Sequence, residues 1–102
     1  MTISKFIGVE TMTSRSGNPI PNQVILTESI GRTFVSYGSK IVFMSKTKDS
    51  DGLPIHIILD ETYWDYSKTT GKYRNEFMGM GVQKVRDYIK SGRIRLDNLN
   101  RN

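Results

Sequence analysis

The hydrophobic pattern of this chain changes period once, and that change limits the folds open to it. Up to residue 59, apolar residues fall in short runs rich in Val, Ile and Phe, separated by Gly, Pro, Asn and Ser, which is typical of β-strands. Later, Val82, Val85, Tyr88 and Ile89 follow the i, i+3, i+6, i+7 spacing of a helix. Strands followed by a helix predict an α+β fold, with a small, mostly antiparallel sheet and one C-terminal helix packed on a face.

The same pattern predicts where the segments begin and end. The predicted strands cover residues 3–9, 23–27, 33–37, 40–44, 55–59 and 93–96. A Gly-Ser pair between the third and fourth strands favours a hairpin. The polar residues 11–22, which include two prolines, predict a loop, and Gly92 predicts the end of the helix. In the last strand we expect Ile94 and Leu96 to point inward, and we expect residues 98–102 to form a tail.

Length and composition indicate a globular protein of one domain. With 102 residues, of which 36% are hydrophobic and 25% charged, the chain is predicted to form a single domain over residues 1–102. No apolar run approaches the roughly 20 residues of a transmembrane helix, and the N-terminus lacks the apolar core of a signal peptide. The chain has no cysteine and only one histidine, so neither a disulfide nor a typical zinc site is expected. These features predict a cytoplasmic protein with no membrane partner, metal or cofactor.

The positive charge is concentrated in the C-terminal part of the chain. Residues 1–62 contain six Lys and Arg against six Asp and Glu, whereas residues 63–102 contain nine against four, so the whole net charge of +5 lies there. A one-sided basic region is expected in a protein that meets a phosphate-rich or acidic partner. A solvated basic face that only aids solubility explains the same distribution, because a net charge of +5 is modest.

Aromatic and cationic side chains are densest in residues 60–78, which we call the aromatic segment. It holds the only tryptophan and three of the five tyrosines. Such rings can stack on bases while Lys and Arg contact phosphates, and a flexible loop over residues 67–72 would add hydroxyl and amide donors for an anion. The candidate binding residues, including one from the following helix, are Tyr63, Trp64, Tyr66, Lys68, Lys72, Tyr73, Arg74 and Arg86.

The aromatic segment also has a purely structural interpretation. Trp64 and Phe77 would fill the junction between the sheet and the helix, and the Tyr and Arg side chains would hold the turn over residues 67–72 in place. For Trp64 and Phe77 we favour a place in the core. For Lys68, Lys72, Tyr73 and Arg74 binding is slightly favoured.

The chain contains no complete catalytic motif. Asp60, Glu61, Asp65 and Glu76 could form acid–base pairs, but no nucleophile is visibly paired with the lone histidine, His56. The calcium-loop and phosphate-loop patterns each lack required residues. We therefore expect a binding protein, and an enzyme acting on a phosphorylated substrate ranks last among the hypotheses.

Residues 36–100 carry a long and specific pattern. Its centre is Tyr63-Trp-Asp-Tyr-Ser-Lys-Thr-Thr-Gly-Lys-Tyr-Arg-Asn75, with Ser36-Tyr37 and Leu59-Asp60-Glu61 before it and Phe77, Ile89-Lys-Ser-Gly92, Leu96 and Asn98-Leu-Asn100 after it. In this pattern the chain resembles small, largely uncharacterised proteins encoded by tailed bacteriophages. The resemblance implies a phage accessory role in the cytoplasm of a bacterial host, but it supplies no activity and no catalytic residues. The first 30 residues lie outside it, and Gly79-Met-Gly81 replaces a more polar joint.

Two functions from different classes therefore remain open. The first is a non-enzymatic phage accessory protein that binds nucleic acid through the basic, aromatic C-terminal half. The alternative is an inhibitor or adaptor that binds a host or anti-phage defence protein, with the same aromatic side chains as interface anchors. In either case an exposed hairpin edge could pair across a dimer.

Overall fold

The fold is known from a computed structural model, which describes residues 5–101. A six-stranded, mostly antiparallel sheet and two helices confirm the α+β class. The strands are β1 (Phe6–Thr13), β2 (Pro19–Glu28), β3 (Gly31–Ser36), β4 (Ser39–Ser45), β5 (Ile57–Asp60) and β6 (Arg95–Asp97), and the helices are α1 (Lys68–Met78) and α2 (Val82–Ser91). In this part of the chain neither helix has the length and apolar character that crossing a membrane requires.

The strands lie side by side in chain order. Consecutive strands from β1 to β5 pair antiparallel, and β6 then pairs with β5 in parallel. Parallel neighbours need a long crossover connection, whereas antiparallel neighbours need only a tight turn. Both helices lie in the crossover connection from β5 to β6. The aromatic segment begins at the end of β5 and forms the first part of this connection.

The predicted hairpin over β3 and β4 is confirmed, and two positive φ angles close it. Tyr37 has φ +51° and Gly38 has φ +81°, as a two-residue type I′ turn requires. At the other end of β3, Gly31 meets β4 so closely that a Cβ there would lie 2.3 Å from the Met44 carbonyl oxygen. Only glycine fits at that position without moving the strand.

The core lies between the helices and one face of the sheet. Phe34 on β3 and Phe77 on α1 stack with ring centroids 5.9 Å apart, which joins the two layers. The buried apolar residues that complete this core are Ile41, Val42, Ile57, Leu59, Met78, Val85 and Ile94. A buried hydrogen bond of 2.9 Å between the hydroxyls of Ser36 and Thr70 adds a polar link between β3 and α1. The structure therefore places Phe77 in the core, as the structural interpretation expected.

The prediction of one helix was wrong because the aromatic segment itself contains α1. Ser67 caps this helix by accepting a hydrogen bond of 3.1 Å from the Thr70 amide, and Gly79, with φ +70°, ends it. Residues 69–71, Thr-Thr-Gly, are poor helix formers. Packing of Phe77 on the sheet outweighs that local preference, so residues 67–72 form the capped start of a helix and not a flexible loop.

The prediction of a loop over residues 11–22 also needs correction. β1 continues to Thr13 and β2 begins at Pro19, so only residues 14–18 form the turn, closed by a hydrogen bond of 2.8 Å from the Ser14 amide to the Asn18 carbonyl. Polar side chains and proline are tolerated here because β1 is an edge strand and the start of β2 is exposed. The first strand was expected from residue 3, and its first two residues lie outside the described part of the chain.

The C-terminal predictions hold in part. α2 and its end at Gly92, where φ is +81°, are confirmed. Ile94 is buried, but Leu96 is 41% exposed, because β6 is at the edge of the sheet and pairs only with β5. Residues 98–101 form no regular element, as expected of a tail, but they are fixed to the sheet. Asn102 lies beyond the described residues.

Candidate functional site

The aromatic segment begins at a buried carboxylate on the last residue of β5. One oxygen of Asp60 accepts hydrogen bonds from the amides of Thr62 and Tyr63, at 3.1 and 2.9 Å, and the other accepts one of 2.8 Å from Leu99. These three bonds leave the carboxylate satisfied and fix the turn that carries Trp64. Asp60 therefore organises the backbone, and this accounts for one of the carboxylates considered for acid–base chemistry.

Arg74 is the buried centre of the aromatic segment. Its side chain is 1% exposed, and its guanidinium lies 5.2 Å from the centre of the Trp64 ring. The guanidinium donates to the Trp64 carbonyl and to the side-chain oxygen of Asn75, and it pairs with Asp65 at 3.2 Å. Because these groups occupy the guanidinium, we revise its predicted role: Arg74 holds the segment together and is not available to a phosphate.

Asp65 connects this buried arginine to the surface. Its second oxygen lies 3.3 Å from the guanidinium of Arg86, which projects from α2 and is 55% exposed. One carboxylate thus links α2 to the turn before α1 and neutralises part of two cations. Arg86 keeps most of its donors exposed, since a guanidinium has five and one pairs here.

A shallow cleft of about 490 Å³ lies over the start of α1. Tyr66, Lys68, Lys72, Arg86 and the carboxylate of Asp65 are lining residues with exposed polar ends, and Tyr66 is 46% exposed. The Tyr66 ring meets the ring of Tyr63 edge-on at 5.5 Å, which fixes its orientation. The cleft therefore combines an exposed aromatic ring with three cations, of which Arg86 pairs with the Asp65 carboxylate.

A second cleft, of about 600 Å³, lies between α1 and the turn that joins β1 to β2. Arg15 from the turn faces Lys72, Tyr73 and Glu76 from the helix. Lys72 lines both clefts, so they adjoin, and we call the two together the Lys72 surface. Arg15 is not among the predicted binding residues, because one arginine in the polar residues 11–22 is thin evidence for a functional arm.

The structure brings six of the eight predicted binding residues to the Lys72 surface. These six are Tyr66, Lys68, Lys72, Tyr73, Arg74 and Arg86. Tyr63 lies beside the surface against Tyr66, and Trp64 is half-buried against the core beneath Arg74. Trp64 thus has the core position that the structural interpretation favoured. Apart from the buried Arg74, the predicted binding residues at the surface are Tyr66, Lys68, Lys72, Tyr73 and Arg86.

The two lysines of the Lys72 surface, Lys68 and Lys72, are exposed. Within residues 5–101, neither Lys68 nor Lys72 lies within ion-pair distance of a carboxylate. The Lys72 ammonium lies 5.2 Å from the centre of the Tyr73 ring, a cation–π contact that leaves its charge in place. The surface therefore keeps a positive charge that an anion could balance.

Two of the carboxylates considered for acid–base chemistry, Asp65 and Glu76, line this surface. Asp60 and Asp65 are engaged in the contacts described above, and His56 lies outside both clefts. Among residues 5–101, no three His, Cys, Asp or Glu side chains lie together as metal ligands would.

Comparison of the chain with protein-family models, curated proteins and solved structures gives no match.

Proposed function

We propose that this chain is a non-enzymatic protein that binds nucleic acid through the Lys72 surface. The observation that carries this proposal is that two clefts share Lys72 and together present unpaired lysines beside an exposed aromatic ring. Lysine and arginine contacts to phosphates supply most of the sequence-independent affinity for nucleic acid. Two adjoining clefts suit a chain of phosphates better than one isolated anion.

The tyrosines add a second kind of contact. Tyr66 meets Tyr63 edge-on and is 46% exposed, so one face of its ring can receive an unpaired base. Stacking of a base on an aromatic side chain contributes about 1–3 kcal/mol and tolerates any sequence. This combination favours single-stranded over duplex nucleic acid, because the bases of a duplex are already stacked.

The biological setting follows from the resemblance of residues 36–100 to small proteins of tailed bacteriophages. We propose that the chain is a phage accessory protein that acts in the cytoplasm of a bacterial host. In that setting phage and host transcripts, and single strands exposed during replication, are the available nucleic acids.

Fluorescence anisotropy with short labelled oligonucleotides tests the proposal. Single-stranded DNA, RNA and duplex DNA of one sequence are titrated between about 50 and 200 mM salt. The double variant Lys68→Ala/Lys72→Ala should weaken binding to all of them and reduce the slope of log K against log salt by about two, one for each lysine that no longer meets a phosphate. The Tyr66→Leu variant should weaken single-stranded binding more than duplex binding, whereas Tyr66→Phe should keep it.

The matched control is Lys46→Ala/Lys48→Ala, which removes the same charge from residues outside both clefts. If this control reduces the affinity and the salt slope as much as the cleft variant does, binding depends on net charge alone. Binding that does not change with salt would contradict the proposal outright.

A second candidate function, an inhibitor or adaptor for a host or defence protein, has its own supporting observation. β1 pairs with β2 only, and it exposes Phe6, Ile7 and Val9 at 66, 65 and 60%. An apolar edge strand of this kind can accept a strand from another chain, of the same or a different protein. A complex that survives nuclease treatment and is lost on Ile7→Lys would favour this function.

A further inference from the structure

A third pocket lies apart from the Lys72 surface, around Arg32. It has a volume of about 480 Å³, within the range of small-molecule sites, and shares no lining residue with either cleft. Residues from the ends of β2, β3 and β4 line it, together with residues 46–54 and Met78 at the end of α1. Since α1 rises about 1.5 Å per residue, this pocket is roughly 15 Å from the Lys68 end of the helix.

The walls of the Arg32 pocket are aliphatic. Met44, Leu53, Pro54, Met78 and Ile7 contribute them, and no aromatic side chain is among the described lining residues. Met side chains adapt to irregular apolar bodies, but this wall offers no ring on which a base could stack. The wall therefore suits an aliphatic chain and not a nucleotide.

Cations surround this apolar wall. Arg32, Lys46 and Lys48 line the pocket, and none of them forms an ion pair with a carboxylate of residues 5–101. Glu28 is the one acidic residue among the described lining side chains, so the positive charge is in excess. The Arg32 guanidinium lies 5.2 Å from the centre of the Phe77 ring, which orients it before any ligand arrives.

One wall of the pocket is fixed by a cross-linked turn. The Asp49 carboxylate accepts hydrogen bonds from the amides of Asp51 and Leu53, at 2.8 and 3.1 Å, and pairs with Arg93 at 2.8 Å. Arg93 also donates to the Pro54 carbonyl at 2.6 Å. These contacts form the pocket in advance, which reduces the cost of binding.

We infer that the Arg32 pocket binds a small organic anion with an aliphatic body, such as a medium-chain carboxylate. The anionic head lies among Arg32, Lys46 and Lys48, and the chain lies against the methionines and Leu53. Charge complementarity excludes a cation of the same shape, and the apolar wall distinguishes this ligand from a simple inorganic anion. The site is independent of nucleic-acid binding.

Amide chemical-shift mapping on the full chain tests the inference. The probe is decanoate below its micelle concentration, compared with decyltrimethylammonium, which has the same chain and the opposite charge, and with acetate, which has the same head and no chain. We expect decanoate to give saturable shifts at Gly31, Arg32, Met44, Lys46 and Leu53. Decyltrimethylammonium and acetate should give none at the same concentrations.

Variants then separate this pocket from the rest of the surface. Lys46→Ala/Lys48→Ala leaves the core intact and should raise the Kd for decanoate about tenfold or more, the effect of losing charge-assisted contacts. Lys68→Ala/Lys72→Ala has the same charge change and should leave that Kd unchanged. For oligonucleotides the expectation is the opposite, since the Lys68→Ala/Lys72→Ala variant should weaken binding more than the Lys46→Ala/Lys48→Ala variant. Either proposal can therefore fail without the other.

Four outcomes would overturn the inference. Equal binding of decyltrimethylammonium would mean that the cations play no part, and equal binding of acetate would mean that the apolar wall plays none. Absence of saturable shifts at the pocket, or shifts accompanied by slower tumbling as a dimer forms, would show that no small anion occupies it.

Discussion

Arg74 shows how burial changes the meaning of a residue. In the sequence it stands among other cations next to aromatic residues, which is the pattern of a nucleic-acid contact. In the folded chain its planar guanidinium donates to the Trp64 carbonyl, the Asp65 carboxylate and the Asn75 side-chain oxygen at the same time. Lysine has the same charge but a single ammonium on a flexible stem, so it cannot replace this set of bonds.

Arg74→Lys is therefore predicted to destabilise the protein. We expect the free energy of unfolding in urea to fall by about 2–3 kcal/mol, because buried donors and acceptors lose their partners. The exposed neighbour Lys72→Ala should change it by less than about 0.5 kcal/mol. An Arg74→Lys protein that is as stable as the wild type but fails to bind oligonucleotides would show that Arg74 contacts the ligand after all.

At the scale of elements, hydrogen bonds and an ion pair of Asp49 hold the turn over residues 46–54. Asp49 is its centre: the Leu53 amide is the main cause that lowers the pKa of the carboxyl below its ordinary value of 3.8, with the Asp51 amide and Arg93 acting in the same direction and desolvation opposing them. A carboxyl with a lowered pKa stabilises the fold while it is ionised.

The stabilisation by Asp49 should disappear in acid. The unfolded chain takes up the proton near pH 3.8 and the folded chain only below it, so the contribution is full above that pH and is lost as pH falls through the lowered pKa. Wild type and Asp49→Asn should differ by a constant amount in Tm between about pH 5 and 7 and converge as the pH falls through the lowered pKa of Asp49. A difference that persists unchanged at the acid end would mean that the charge of Asp49 has no part in holding the turn.

At the scale of the whole molecule, the C-terminal segment joins parts of the chain that are distant in sequence. Leu99 donates to the carboxylate of Asp60 at 2.8 Å, and the side chain of Asn100 bonds to both the amide and the carbonyl of Lys40, at 2.8 and 3.0 Å. The segment predicted to be a tail is therefore hydrogen-bonded to β4 through Asn100 and to β5 through Leu99. It also helps to hold the turn that begins the aromatic segment.

Removal of residues 98–102 should therefore lower stability measurably. Three hydrogen bonds at about 1 kcal/mol each predict a loss of about 2–4 kcal/mol in the free energy of unfolding by urea. Removal of residues 101–102 alone is the matched control and should cost less than about 0.5 kcal/mol, because it spares all three bonds. Equal stability of both shortened chains would mean that the hydrogen bonds of residues 98–100 do not contribute to the stability of the fold.

The local sequence contains signals for the helix α1, but they are weak. The signals for α1 were Ser67 before it, Gly79 after it, and the i, i+4 pair Tyr73 and Phe77. The poor helix propensity of residues 69–71 opposes these signals. Arg15 had a weaker signal, a lone arginine in a polar segment, since its place in the same cleft as Lys72 depends on how the hairpin and the helix pack.

Local sequence was enough to specify the hairpin of β3 and β4, the helix α2 and the excess of positive charge in the C-terminal half. Each depends on neighbours within a few positions or on simple composition. The burial of Arg74, the approach of Arg15 to Lys72 and the attachment of the last residues to the sheet were set by the packing of the folded chain. The attachment of residues 99–100 and the cleft shared by Arg15 and Lys72 join segments far apart in the chain. The burial of Arg74 requires that α1 pack on the sheet and exclude water from the groups between them.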